Sequence, residues 1–200
     1  MTTVRRLRTS TAPAEQETVI LAAARREFAE VGVRRANMDS VARAAGVSRS
    51  TLYRRFPNKD VLLAKVGETI ALDTLKRLAV AVRGLAPHEA VVEAFVEYTR
   101  TVADDPLVGR LLLEEPELTD VLVGRTTRGA AEFLEASGAT VASTLRRAGA
   151  TMPADDLALV AEHLVRVALS LVQVRTTRLD IGDVEAIRAY ATKFLAPLVS

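Results

Sequence analysis

Ala44–Lys59 reads A-A-G-V-S-R-S-T-L-Y-R-R-F-P-N-K, and this stretch decides the fold. Gly46 supplies a tight turn between two short helical patterns, since glycine enters left-handed backbone conformations without a Cβ penalty. Ser48 suits the N-cap of the helix that follows, where its hydroxyl can accept from an unpaired backbone N–H. Val47 plugs the space between the helices, and Leu52 and Phe56, four residues apart, anchor the second helix from behind. That leaves Arg49, Ser50, Thr51, Tyr53, Arg54 and Arg55 on or near the outer surface. A short helix, a glycine turn and a second helix with a polar, basic outer face form a helix-turn-helix pattern, whose second helix enters the DNA major groove. Arginine pairs bidentately with guanine, serine and threonine serve bases or phosphates, and tyrosine donates to phosphate.

Working outward, Leu21, Ala24, Phe28 and Val31 share one face of a helix expected from about Ala14, which Gly32 stops. Asn37 is a candidate cap for a short helix carrying Met38, Val41, Ala42 and Ala45 inward. Pro57 breaks the chain after the second helix of the motif, and Asn58 can cap a long fourth helix from Lys59. Beyond Val82, Gly84, Pro87, Pro106, Pro116, Gly149, Pro153 and Gly182 divide the chain into helix-length segments: 87–103, 106–114, 117–148 with a break around 124–129, 154–177 and 183–198. The expected architecture is all-α, with about nine helices in total. A basic arm over 1–13 is expected to be disordered, followed by a three-helix DNA-binding domain over 14–60 and a helical bundle over 61–200.

Composition narrows the function. With 49% hydrophobic and 26% charged residues the chain can bury a core. The absence of cysteine excludes a disulfide scaffold, a thiolate zinc site and a cysteine nucleophile. No apolar run approaches about 18 residues and no signal-peptide core follows the N-terminal arginines, so a cytoplasmic protein without a membrane span is expected. No nucleophile elbow, phosphate-binding loop, dinucleotide fingerprint or paired-histidine motif is present, and His88 and His163 stand far apart, so neither enzyme, cofactor nor metal is expected. Residues 1–60 hold 12 Lys and Arg against 6 Asp and Glu, a balance of +6, whereas the remainder stands at −4. Such asymmetry is consistent with a polyanion partner for the first sixty residues, though charge alone does not decide it.

Residues 15–65 resemble the DNA-binding domain of the TetR family of bacterial transcriptional regulators. The pattern G-V-S-x-x-T-L-Y-x-x-F-x-x-K-[DE]-x-L is met by Gly46, Val47, Ser48, Thr51, Leu52, Tyr53, Phe56, Lys59, Asp60 and Leu62. The resemblance implies that Arg49, Ser50 and Thr51 read base edges or clamp nearby phosphates, and that Tyr53 and Lys59 grip the phosphate backbone. Asn37 matches a capping position that touches phosphate, Ser48 belongs to the same DNA-facing set, Arg55 matches a groove-facing position, and Arg54 is more variable. Asp39 lies near the DNA in this reading, where its carboxylate either accepts from a cytosine amine or orients an arginine.

The resemblance further implies a C-terminal domain that dimerises through its last two long helices and binds an effector among the middle ones. Between Asp155 and Thr176 apolar residues occupy more than one helix face, which a helix buried on several sides requires. Leu157, Val160, Leu164, Val167 and Leu171, with Ile187, Ala191 and Phe194 from the final segment, are candidates for a four-helix interface; a buried hairpin within one chain is the other reading. Phe95, Tyr98, Leu112 and Phe133 are candidates to line an apolar pocket or to be ordinary core. The expectation is therefore a repressor that binds a near-palindromic DNA operator as a homodimer and is released by a small, apolar effector. An activator would share the same motif, and a helical interaction protein that kept the fold without operator binding is the rival class.

Overall fold

The computed structural model describes residues 13–114, 127–174 and 178–200, with the backbone alone at 112–114 and 127–130. Among the described residues there are nine α-helices and no strand: α1 (Pro13–Val31), α2 (Met38–Ala44), α3 (Arg49–Arg55), α4 (Lys59–Ala81), α5 (Pro87–Asp104), α6 (Pro106–Glu114), α7 (Thr127–Arg147), α8 (Ala154–Gln173) and α9 (Val184–Tyr190). The all-α expectation holds. The basic arm lies outside the described residues except for Pro13, which opens α1, and so does the segment 117–126. The chain divides into two compact units, one ending at Leu62 and the other beginning at Leu63.

In the first unit each boundary has a local cause. Gly32 and Gly46 sit at φ +83° and +67°, the left-handed region that stops α1 and turns α2 into α3. The Asn37 side chain accepts from the Asp39 N–H at 2.8 Å, and the Asn37 N–H donates to Glu27 Oε1 on α1 at 3.2 Å. Asn58 Oδ1 accepts from the Val61 N–H at 2.9 Å and opens α4. The buried residues include Ile20, Leu21, Ala24 and Phe28 from α1, Met38, Val41 and Ala42 from α2, and Leu52 and Phe56 from α3 and its end. Val47 is half-buried in the turn.

In the second unit α7 and α8 form the most extensive helix pair. At Gly138 the two helices come close, and a Cβ there would make ordinary contact with the Glu162 backbone at 3.4 Å. The core joins Val91, Phe95 and Val96 of α5 to Leu145 of α7, Leu157 and Leu164 of α8, and Ile187, Ala191 and Leu195 at the end of the chain. Asp105 is buried but satisfied: its Oδ1 accepts from the N–H groups of Leu107 and Val108 and so caps α6. The last segment differs from a uniform helix. After Tyr190 the backbone widens into a π turn over Ala191–Leu195 and tightens into a 3-10 turn over Ala196–Leu198, where Pro197 offers no N–H for an α-helical bond. No helix of the described residues is long and apolar enough to cross a membrane.

Candidate nucleic-acid interface and internal cavity

The outer face of α3 is built from its cap. Ser48 Oγ accepts from the Thr51 N–H at 3.1 Å and lies 2.9 Å from Ser50 Oγ and 2.8 Å from Thr51 Oγ1. Three hydroxyls thus gather over the N-terminal turn of α3, where unpaired N–H groups favour an anion. Arg49, Ser50, Tyr53 and Arg54 are exposed, and Thr51 is half-buried. Arg49 Nη2 lies 2.9 Å from Asp39 Oδ2, so the carboxylate left open by the sequence orients an arginine in this structure.

Two of the candidate DNA-contacting residues make contacts within the chain. Arg55 was expected to face the groove, but its guanidinium reaches back to Glu17 on α1, with Nη1 3.3 Å from Oε2. Its side chain is largely buried, and Nε is enclosed without a hydrogen-bond partner among the described residues. Arg54, read as the more variable neighbour, is the one left exposed. Lys59 is half-buried, and its Nζ donates to the carbonyls of Arg34 at 2.8 Å and Ala36 at 3.1 Å. The ammonium therefore ties the start of α4 to the connection between α1 and α2. Sequence pattern assigns such a side chain to a helix face but does not reveal which carbonyls come within its reach.

The second unit holds a partly open cavity of about 470 Å³, within the range of sites for small organic molecules. Phe95, Tyr98 and Phe133 are among its lining residues, whereas the Leu112 side chain lies outside the described residues. Sequence reasoning missed the contributions of α4, including Thr74 and Leu78, and those of Ser137 and Val172. Glu68 and Glu132 are the charged residues among the described lining. Burial pushes the Tyr98 phenol well above its ordinary value, because the ionised form would lose its hydration.

The candidate interface residues separate into two groups. Leu157, Leu164, Ile187 and Ala191 are buried within the core of a single chain, and Leu164 also faces the cavity. They fill this unit rather than offer a surface, because a heptad-like pattern marks apolar positions without distinguishing an internal from an external partner. Val160, Val167 and Leu171 are half-buried, and Phe194 remains 55% exposed. Leu159, absent from the predicted set, is 68% exposed on α8. His88 and His163 are both exposed.

Residues 20–66 match the family model described as bacterial regulatory proteins, tetR family, and residues 87–179 match the bacterial tetracyclin repressor C-terminal domain. Together the two stretches cover more than half of the chain. The chain belongs to the TetR family. TetR-family proteins are DNA-binding transcriptional regulators. Among solved structures, the TetR family repressor AlkX from Dietzia sp., implicated in biodegradation of n-alkanes, is 19% identical with a TM-score of 0.71, over 90% of this chain and 93% of that one. A TetR transcriptional regulator from Rhodococcus sp. RHA1 is 26% identical with a TM-score of 0.62, over 92% and 97% of the two chains. GusR from Salmonella enterica is 22% identical with a TM-score of 0.56, over 93% and 98%. A comparison with curated proteins gave no match.

Proposed function

We propose that this TetR-family regulator is a repressor that binds a near-palindromic operator as a homodimer and is released by a small, apolar effector. The observation that carries the reading is the outer face of α3: Arg49, Ser50, Tyr53 and Arg54 stand exposed beside a capped N-terminus, on a segment with an excess of positive charge. These side chains and the Ser48–Thr51 hydroxyl cluster supply both base-reading and phosphate-binding groups. Two such helices enter successive major grooves on one DNA face when they stand about 34–36 Å apart, which a two-fold dimer provides.

The exposed apolar residues Leu159 and Phe194 support an interface formed by the last helices, while the cavity supports an effector site. Helix α4 begins in the first unit and supplies one wall of the cavity in the second, so an effector that favours one position of α4 would change operator affinity. Such a protein acts where the DNA is, in the cytoplasm. The test is selection of bound fragments from sheared genomic DNA, at moderate salt with excess non-specific competitor. Recovery of near-palindromic sites, half-sites about one helical turn apart, supports the dimeric operator reading. Sequence-blind, salt-sensitive binding alone would replace it with an interaction protein that retains the fold.

A further inference from the structure

The cavity has a chemical character more specific than apolar. Its wall is overwhelmingly hydrocarbon, from Leu78, Phe95, Phe133 and Val172 among others. Among the described lining residues there is no Lys, Arg or His, so these residues offer an anionic head group no counter-charge. The two carboxylates are poor hosts for a buried cation as well. Glu68 is more than half exposed and already holds Lys65 Nζ at 2.6 Å, and Glu132 is exposed to solvent. Placing either sign of charge against this wall would incur desolvation without a buried partner.

Two hydroxyls stand out against that background. Thr74, Thr140 and Thr144 each return their hydroxyl hydrogen to a carbonyl of their own helix. Tyr98 and Ser137 do not: among the described residues neither side chain has a hydrogen-bond partner, and both line the cavity. Ser137 is only 3% exposed. Tyr98 is half-buried and lines the cavity. Both hydroxyls open onto an otherwise apolar wall without a partner from the described residues, which marks where a ligand's polar atom belongs. The phenol is held in its protonated form and is therefore a donor that requires an acceptor.

We infer that the cavity takes an uncharged, largely hydrocarbon molecule carrying a hydrogen-bond-accepting oxygen, which the Tyr98 hydroxyl receives, with Ser137 as the second polar contact. This rests on the effector reading only for its regulatory consequence; the ligand class follows from the wall itself. A ten-carbon series that differs in its head group tests it: decan-2-one, n-decane, decanoate and decylammonium, titrated calorimetrically against the full-length protein without DNA. Decan-2-one is expected to bind about tenfold or more tighter than either ion. Tyr98→Phe is expected to weaken decan-2-one by about three- to tenfold, the worth of one neutral hydrogen bond, while leaving n-decane unchanged. Ala94→Leu, which narrows the cavity, is expected to weaken both uncharged probes and so locates them. Should Tyr98→Phe fail to fold, Ser137→Ala takes its place, with a smaller loss confined to decan-2-one.

Equal or tighter binding of decanoate or decylammonium overturns the inference. An equal loss of decane and decan-2-one in Tyr98→Phe, or no binding of any uncharged probe, does so too. A parallel measurement of operator affinity separates the two readings. A probe that binds with the expected selectivity but leaves DNA affinity unchanged refutes effector control and leaves the ligand class standing.

Discussion

Arg49 Nη2 and Asp39 Oδ2 stand 2.9 Å apart, joining the first residue of α3 to the first turn of α2. Arg49 is mostly exposed and Asp39 partly so, which leaves the pair little net stabilising energy, about 0–1 kcal/mol. Its consequence is geometric: the Arg49 side chain at the start of α3 is drawn toward Asp39 on α2. Arg49→Ala is expected to relax preference at one base pair per half-site, by about 1–3 kcal/mol if the contact is bidentate. Asp39→Ala should reproduce part of that loss, and the double variant should lose less than the sum. A uniform gain in affinity for all DNA in Asp39→Ala would mean that the carboxylate acts only by repelling phosphate.

Lys59 is expected to show two effects where Tyr53 shows one. Removing the ammonium breaks its bonds to the Arg34 and Ala36 carbonyls, so Lys59→Ala should lower stability by about 0.5–1.5 kcal/mol in urea unfolding. It should also reduce the salt dependence of DNA binding by about one phosphate contact, if the third N–H reaches the backbone. Tyr53→Phe should weaken binding to all sequences while the unfolding midpoint stays in place, because the exposed Tyr53 hydroxyl has no partner among the described residues. Unchanged stability of Lys59→Ala would remove the structural role.

Arg54 and Arg55 are adjacent but should separate cleanly. Arg55→Ala breaks the contact with Glu17 and empties a largely buried position, so its expected effect is on unfolding, and Glu17→Gln should share it. Arg54→Ala should leave stability within about 0.5 kcal/mol and lower the salt slope of DNA binding. Reversal of the two phenotypes would return Arg55 to the groove.

Much of the first unit was legible because its boundaries are local chemistry. Gly32, Gly46, Asn37, Ser48 and Asn58 stop or cap their helices through neighbours two to four residues away. What escaped the sequence depends on distant chain. Arg55 meets Glu17 across 38 positions, and Lys59 meets Arg34 and Ala36 across more than twenty. In the second unit the apolar stripe of α8 was visible, but periodicity alone does not divide Leu157, which is buried, from Leu159, which is not. The cavity wall drew on α4, whose Thr74 and Leu78 look in sequence like any helix interior.

The contact between Glu93 on α5 and Arg188 on α9 gives the second unit an acid sensitivity. Both nitrogens Nη1 and Nη2 donate to the carboxylate, and this hydrogen bonding, with the charge of Arg188, holds Glu93 below its ordinary value of 4.5 despite some desolvation. A lowered folded-state value means that the stabilisation is fully present above the unfolded value and is lost as pH falls through the folded one. Wild type should therefore lose stability more steeply than Glu93→Gln below about pH 4.5, while the variant is the less stable protein at pH 7. Parallel unfolding curves for the two proteins from pH 7 to pH 3 would show that the pair is too solvated to matter.

Burial also divides the residues of the last two helices into those that hold one chain together and those available to another. Leu157 is 2% exposed, so Leu157→Ala should cost about 2–5 kcal/mol in stability. Leu159 and Phe194, at 68% and 55%, have little to lose within the chain; Phe194 rests on Tyr190 at a ring separation of 5.4 Å, with Lys193 Nζ 5.2 Å from its ring centre. Leu159→Glu and Phe194→Glu are expected to keep the unfolding midpoint of the isolated chain and to shift light-scattering mass from dimer toward monomer. Operator affinity should then depend on protein concentration, since a monomer offers one recognition helix where a palindromic site needs two. A dimer that persists in both variants would move the interface away from these two residues, toward other exposed positions such as Leu72 and Val80 on α4.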